Sequence, residues 1–213
     1  MGDAHTLYIT AGSGNSFKPM LVLRQRGDTG PADTVRIRSV DVLAGETRSP
    51  AFLALNPRGQ VPFLVTADGR GLGESNAIAW FLSEGSALMP TDPLHRAQAL
   101  QWMIFEQTAL EPNISPARFF AHIVPHLAAE HAEDFPRWHR DGCAGLAVLD
   151  AHLHGRDFIT DHGYSVADIA VFGYTHLAGE GGFDLNDWPS VRAWIARVQG
   201  QPGHLGVDTL LAV

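Results

Sequence analysis

The spacing of apolar residues changes from strand-like to helix-like and back along the opening of the chain. "TLYIT" (Thr6 to Thr10) predicts a short strand and "GSGN" (Gly12 to Asn15) the turn that follows it. From Ser16 the apolar residues Phe17, Met20, Leu21 and Leu23 recur at helical spacing, and Gly27 stands where a helix stops. "TVRIRSVDV" (Thr34 to Val42) alternates apolar and polar positions, the pattern of a half-buried strand. Together these predict a β-α-β unit.

The next segment extends it. "SPAFLALNP" (Ser49 to Pro57) predicts a short helix capped by Ser49, with Pro50 at its first position and Asn56-Pro57 at its end. "VPFLVT" (Val61 to Thr66), the turn "ADGRG" and a brief "LGE" predict an antiparallel hairpin, and "SNAIAWFLSEG" (Ser75 to Gly85) an amphipathic helix with Ile78, Phe81 and Leu82 on one face. The order is β-α-β-α-β-β-α. "SALMPTDP" (Ser86 to Pro93), with two prolines, reads as a linker. Beyond it the pattern is helical: Leu94 to Leu110, Phe135 to His154 and Pro189 to Gln199, with Ser165 and Asp168 spaced as a capping box that starts a further helix. The expected fold is an α/β domain over residues 1–86 followed by an all-α domain over residues 87–213.

Composition narrows the function. At 213 residues and 45% hydrophobic content the chain can bury a core without staples. Its formal charge of −8 offers no basic footprint for a phosphate backbone, so nucleic acid is not an expected partner. No apolar run is long enough to span a bilayer and no basic stretch followed by an apolar one opens the chain, so neither membrane insertion nor export is expected. The single cysteine, Cys143, excludes an internal disulfide and a Cys-based zinc site and fits a reducing, cytoplasmic setting. Any thiol chemistry must then draw its thiol mainly from a ligand.

The stretch from Asn56 to Ile78 carries the chemistry. Pro62 cannot donate to a strand ladder, so it belongs at an edge or in a special turn. A cis Val61-Pro62 bond would turn the Val61 backbone out of the sheet, where its N–H and C=O could pair with a peptide as an added strand does; an ordinary edge proline is the simpler alternative. Glu74 and Ser75 follow at a helix start, where first-turn N–H groups suit a carboxylate and an adjacent acid suits an ammonium. Taken alone, that pair also reads as a plain cap beside a solvated acid.

"NPRGQVP", an interval of eleven residues, and then "ESNAI" resembles the glutathione-binding signature of the cytosolic glutathione transferases, whose N-terminal domain is thioredoxin-like. "GETRSPAFLALNP", "ALMPTDPLHRAQALQWMIFE", "SVADIAVF" and "WPSVRAWIARVQGQPG" resemble further segments of that family in the same order, so the likeness spans essentially the whole chain. The resemblance implies that Val61 takes the cysteinyl backbone of glutathione, that Pro62 is cis, and that Glu74 and Ser75 hold the γ-glutamyl end. For the glycyl carboxylate, Arg48, Arg58 and Gln60 are the donors in reach of the loop. It implies glutathione as co-substrate with no separate cofactor and no metal, a small hydrophobic electrophile as second substrate, and a homodimer.

The family activates the glutathione sulfur at the turn before the first helix, here "AGSGNSFK". Ser13 stands at the serine position of the Ser-type classes and Asn15 at the asparagine of certain bacterial classes that favour disulfide-bond reduction of glutathione adducts. Ser16 is a third hydroxyl, expected to cap the helix. Turn chemistry alone also accounts for all three residues. Tyr8 lies inside the strand and is expected in the core or at the domain interface. His122 and His126 have the spacing of a metal pair, but Pro125 interrupts them; His152 and His154 diverge around Leu153 and are expected in solvent. Trp102, Phe105, Phe119 and Phe120 fall where the family builds its electrophile pocket, although aromatics at helical spacing are more often core. The leading expectation is conjugation of the glutathione thiolate to an apolar electrophile. Glutathione-dependent disulfide or peroxide reduction and a non-catalytic glutathione-binding module are the alternatives.

Overall fold

Alternation in the first segment becomes strand β1, His5–Ile9, whose two faces meet different helices. The computed structural model describes residues 4–27 and 35–207. Helix α1 (Gly14–Gln25) leads to β2 (Val35–Ser39), a short 3-10 turn (Glu46–Arg48) to α2 (Pro50–Leu55), and then β3 (Phe63–Val65), β4 (Gly71–Leu72) and α3 (Ser75–Ser83) follow. Thr34, expected to open the second strand, lies outside the described residues.

The sheet order is β2-β1-β3-β4, with β1 parallel to β2 and antiparallel to β3, and β4 antiparallel to β3. This is the thioredoxin-like βαβαββα arrangement. Odd positions of β1 face one layer: His5 meets the Phe81 ring of α3, while Leu7 and Ile9 are fully buried with Phe17, Leu21, Ile78 and Leu82 of α1 and α3. Even positions face α2, and Tyr8 packs edge-on against Phe52 in a cluster with Val40 and Phe63. Tyr8 is a packing residue, as its place in the strand implied.

Two elements of this unit differ from their expected bounds. Helix α1 begins at Gly14 and not at Ser16, because Ser13 is its cap: the Ser13 hydroxyl accepts from Ser16 N at 3.2 Å, and Phe17 N donates to Ser13 O at 2.9 Å. Strand β3 begins at Phe63, two residues after Val61, because Pro62 has no N–H for the ladder.

Pro90–Gln201 forms a second, helical unit, and the described residues after it, Pro202–Val207, group with the first unit, where the His204 ring meets Phe17. Asp92 caps α4 (Pro93–Phe105), accepting from Leu94 N and His95 N. The helix does not stop at Leu110 as expected: a π-turn over Glu106–Leu110 carries it into α5 (Glu111–Arg118). The wider turn, closed by Glu111 N to Glu106 O, shifts the hydrogen-bond register just ahead of Pro112, which lacks an N–H. Helices α6 (Phe135–Leu153), α7 (Val166–Thr175) and α8 (Pro189–Gln199) complete the unit, and every residue of α7 is buried. Its Ser165 cap and Asp168 form the expected capping box. His152, expected in solvent, instead meets the Ile159 carbonyl at 2.8 Å and packs against Trp102, because the chain after α6 folds back over it. No helix is long and apolar enough to cross a membrane among the described residues.

Candidate functional site

Three segments of the first unit place the candidate residues: the mouth of α1, the loop from Asn56 to Pro62, and the mouth of α3. At the α1 mouth, Gly12 adopts φ +71, which lets the chain leave β1 and reach the cap at Ser13. The Ser13 hydroxyl is used as an acceptor by Ser16 N, and it retains its own hydrogen to donate. Ser16 is fully buried and its hydroxyl accepts from Thr10 N at 3.1 Å, so it ties the strand end to the helix and does not cap it. This corrects the expected division of labour between the two serines.

Asn15 reaches across to α3. Its amide oxygen accepts from the Ser75 hydroxyl at 3.0 Å and from Lys18 Nζ at 3.1 Å, and Lys18 Nζ lies 3.4 Å from Ser75 Oγ. Lys18 is fully buried and Ser75 is 6% exposed. Sequence reasoning passed over Lys18; its signal was a charged residue of α1 within the run Phe17, Pro19 and Met20, where the helix faces inward.

In the loop, Asn56 is the organising residue that sequence reasoning used only as a helix end. Its amide nitrogen donates to Gln60 O at 2.8 Å and its amide oxygen accepts from Arg58 N at 3.2 Å, so the turn is pinned from within. Gly59 has φ +60, and a Cβ there would stand 2.8 Å from Thr47 O and from Arg48 Nη1. The Val61-Pro62 bond is cis, as the resemblance implied. Val61 precedes the first ladder residue of β3, and its side chain packs on the Val40, Phe52 and Phe63 cluster.

At the α3 mouth Glu74 has φ 62 and ψ 115, a conformation costly for a residue with a Cβ. It provides no side-chain cap, and the first turn of α3 contains no acidic residue. The helical ladder starts with Ile78 N to Glu74 O at 2.9 Å, so the N–H groups before Ile78 precede it. The Glu74 carboxylate pairs with Arg58, both side chains more than half exposed, and the Arg58 carbonyl accepts from Arg48 Nη1 at 3.3 Å. Such an exposed pair contributes about 0–1 kcal/mol and can open for a ligand. Gln60 and Arg48 are exposed beside it.

The other candidates are used elsewhere. Cys143 lies on α6, where burial and then the Asp187 carboxylate push its thiol pKa up, away from the thiolate form that reacts. His122 contacts Glu180, whose carboxylate also accepts from the buried Arg118 at 2.6 Å. Trp102 packs against Phe105, and Phe120 stacks on His131 and Trp138 within the helical unit, while Phe119 is partly exposed.

Residues 16–84 match the family model "Glutathione S-transferase, N-terminal domain". Among solved structures, a possible glutathione S-transferase from Rhodopseudomonas palustris is similar over 96% of this chain and 98% of its own, at 44% identity and a TM-score of 0.90. A glutathione transferase from Pseudomonas putida, solved with one glutathione disulfide bound per subunit, is 25% identical over 99% of this chain and 92% of its own, with a TM-score of 0.83. The disulfide-bond oxidoreductase YfcG of Escherichia coli (strain K12) is 28% identical over 174 residues, 78% of this chain and 80% of its own.

Proposed function

The chain belongs to the glutathione S-transferase family, and from that premise we propose that it binds glutathione at the mouths of α1 and α3 and conjugates its thiolate to an apolar electrophile. The observation that carries the reading is the α3 mouth, where a buried Ser75 stands at a helix N-terminus whose first turn contains no acidic residue. The α-carboxylate of the γ-glutamyl group fills that place. Its ammonium takes the Glu74 carboxylate, the cysteinyl backbone pairs with Val61 beside the cis Pro62, and the glycyl carboxylate turns toward Arg48 and Gln60.

This pose sends the sulfur to the α1 mouth. A free thiol with a pKa of about 8.5 is mostly protonated near neutral pH, so the site must favour the thiolate. The Ser13 hydroxyl, with Asn15 contributing, supplies hydrogen-bond donation at a helix N-terminus. The thiol proton passes to solvent; the sulfur lone pair then forms a bond to the electrophilic carbon as the leaving group departs with its bonding electrons. The helical unit, Pro90–Gln201, supplies the apolar pocket for that second substrate. Homodimerisation and a cytoplasmic setting complete the proposal.

A second reading keeps the site and changes the reaction. Asn15 at the turn and the similarity to a disulfide-bond oxidoreductase favour attack of the glutathione thiolate on a glutathionylated thiol, releasing that thiolate and forming glutathione disulfide. Turnover of an aryl halide and of a mixed disulfide by the same preparation separates the two. The conjugation reading expects the aryl halide to be turned over and Ser13→Ala to slow it by about 10- to 100-fold. An unchanged rate rejects the role of Ser13; glutathione binding without turnover on either substrate rejects the enzyme readings.

A further inference from the structure

Lys18 is fully buried, and burial strips an ammonium of the hydration that normally keeps lysine at the surface. Its Nζ lies 3.1 Å from the Asn15 amide oxygen and 3.4 Å from Ser75 Oγ, and those two oxygens are 3.0 Å apart. Three groups from two helices therefore form one compact triangle, with a cation at the corner behind the Ser75 hydroxyl.

We propose that Lys18 is a positioning residue that readies Ser75 to donate to a carboxylate and selects for a ligand end carrying one. The inference rests on the glutathione reading and assigns the α-carboxylate as the group that Lys18 senses through Ser75.

Hydrogen counting supports it. The Ser75 hydroxyl has one hydrogen, directed in this state to the Asn15 oxygen. The Lys18 ammonium has three and serves that same oxygen. When a carboxylate arrives at the α3 mouth, the Ser75 hydrogen can swing to it while the Asn15 oxygen keeps its bond from Lys18. The Lys18 contact to Ser75 Oγ polarises the hydroxyl and makes it a stronger donor. A charge fixed in low-dielectric surroundings also favours an anion in front of it more than a solvated charge would. A lysine that merely tied α1 to α3 would affect every ligand of the site alike.

The test compares two peptides by calorimetry: glutathione, and γ-aminobutyryl-cysteinyl-glycine, which is glutathione without its α-carboxylate. In Lys18→Met, glutathione is expected to bind about tenfold more weakly while the analogue changes by less than about twofold, and Lys18→Arg retains most of the preference. Equal weakening of both peptides, or no change in either, overturns the proposal. If Lys18→Met does not fold, the wild-type protein still decides. It must prefer glutathione over the analogue by about tenfold or more and lose most of that preference in Ser75→Ala, and equal affinity for the two peptides overturns the proposal. A wild-type protein that binds neither peptide overturns the glutathione reading itself.

Discussion

Helices α3 and α7 both begin on a buried serine region, yet their N-termini are completed in opposite ways. At α7 the chain brings its own carboxylate: Asp168 accepts from Ser165 N, from the Ser165 hydroxyl, from Ile159 N and from the Trp194 indole, all between 2.9 and 3.2 Å. Ser165 caps it from a relaxed extended backbone, φ −149 and ψ 176. At α3 the first turn has no acid, the cap residue Glu74 has φ 62, and a buried lysine stands behind Ser75. One N-terminus is closed for stability. The other has no acidic residue in its first turn, and on the proposed reading an anion from outside closes it, the difference between a structural capping box and a binding site.

Deleting the internal carboxylate breaks the comparison most severely. Asp168→Ala leaves several buried donors without their acceptor and is expected to lower stability by about 3 kcal/mol or more, read from denaturant midpoints. Burial also pushes the Asp168 pKa up to about 6, against the lowering effect of its Trp194, Ile159 and Ser165 hydrogen bonds. The folded state then holds a proton that the unfolded chain releases near pH 3.8. This group's contribution is full below that value and is lost as pH rises through about 6, with a slope approaching about 1.4 kcal/mol per pH unit between the two. Unfolding curves at pH 4 to 7 should show that slope in the wild type and not in Asp168→Asn.

Smaller effects sharpen the α3 side. Glu74→Gly relieves the positive-φ backbone and is expected to raise stability by about 1 kcal/mol while weakening glutathione binding, an opposition that thermal melts and calorimetry read together. Ser75→Ala removes one hydroxyl from the proposed binding site, and its stability should stay within about 1 kcal/mol of wild type.

Much of this contrast was legible in the sequence because it is written in local patterns. Ser165 with Asp168, Ser49 with Pro50, and the alternation of "TLYIT" each signal their element within a few residues, and each element formed as read. The cis Val61-Pro62 bond came from the family resemblance, since local pattern alone left an ordinary edge proline as the simpler reading. What escaped was long-range or competitive. Lys18 meets Ser75 across 57 positions, and no local spacing reports that contact. Ser13 and Ser16 lie three residues apart in one turn, and local propensity cannot tell which of two serines caps a helix when the second is drawn inward to the end of β1. The passage of α4 into α5 through a π-turn hides behind Pro112, whose missing N–H would interrupt a regular helix.

Calorimetric titration of glutathione into the wild-type protein and Ser75→Ala, at equal folding by thermal melt, tests the open α3 mouth most directly. The account predicts one saturable site in the wild type and about tenfold weaker binding in the variant. Identical affinities, or a wild-type protein that takes up no glutathione, would contradict it.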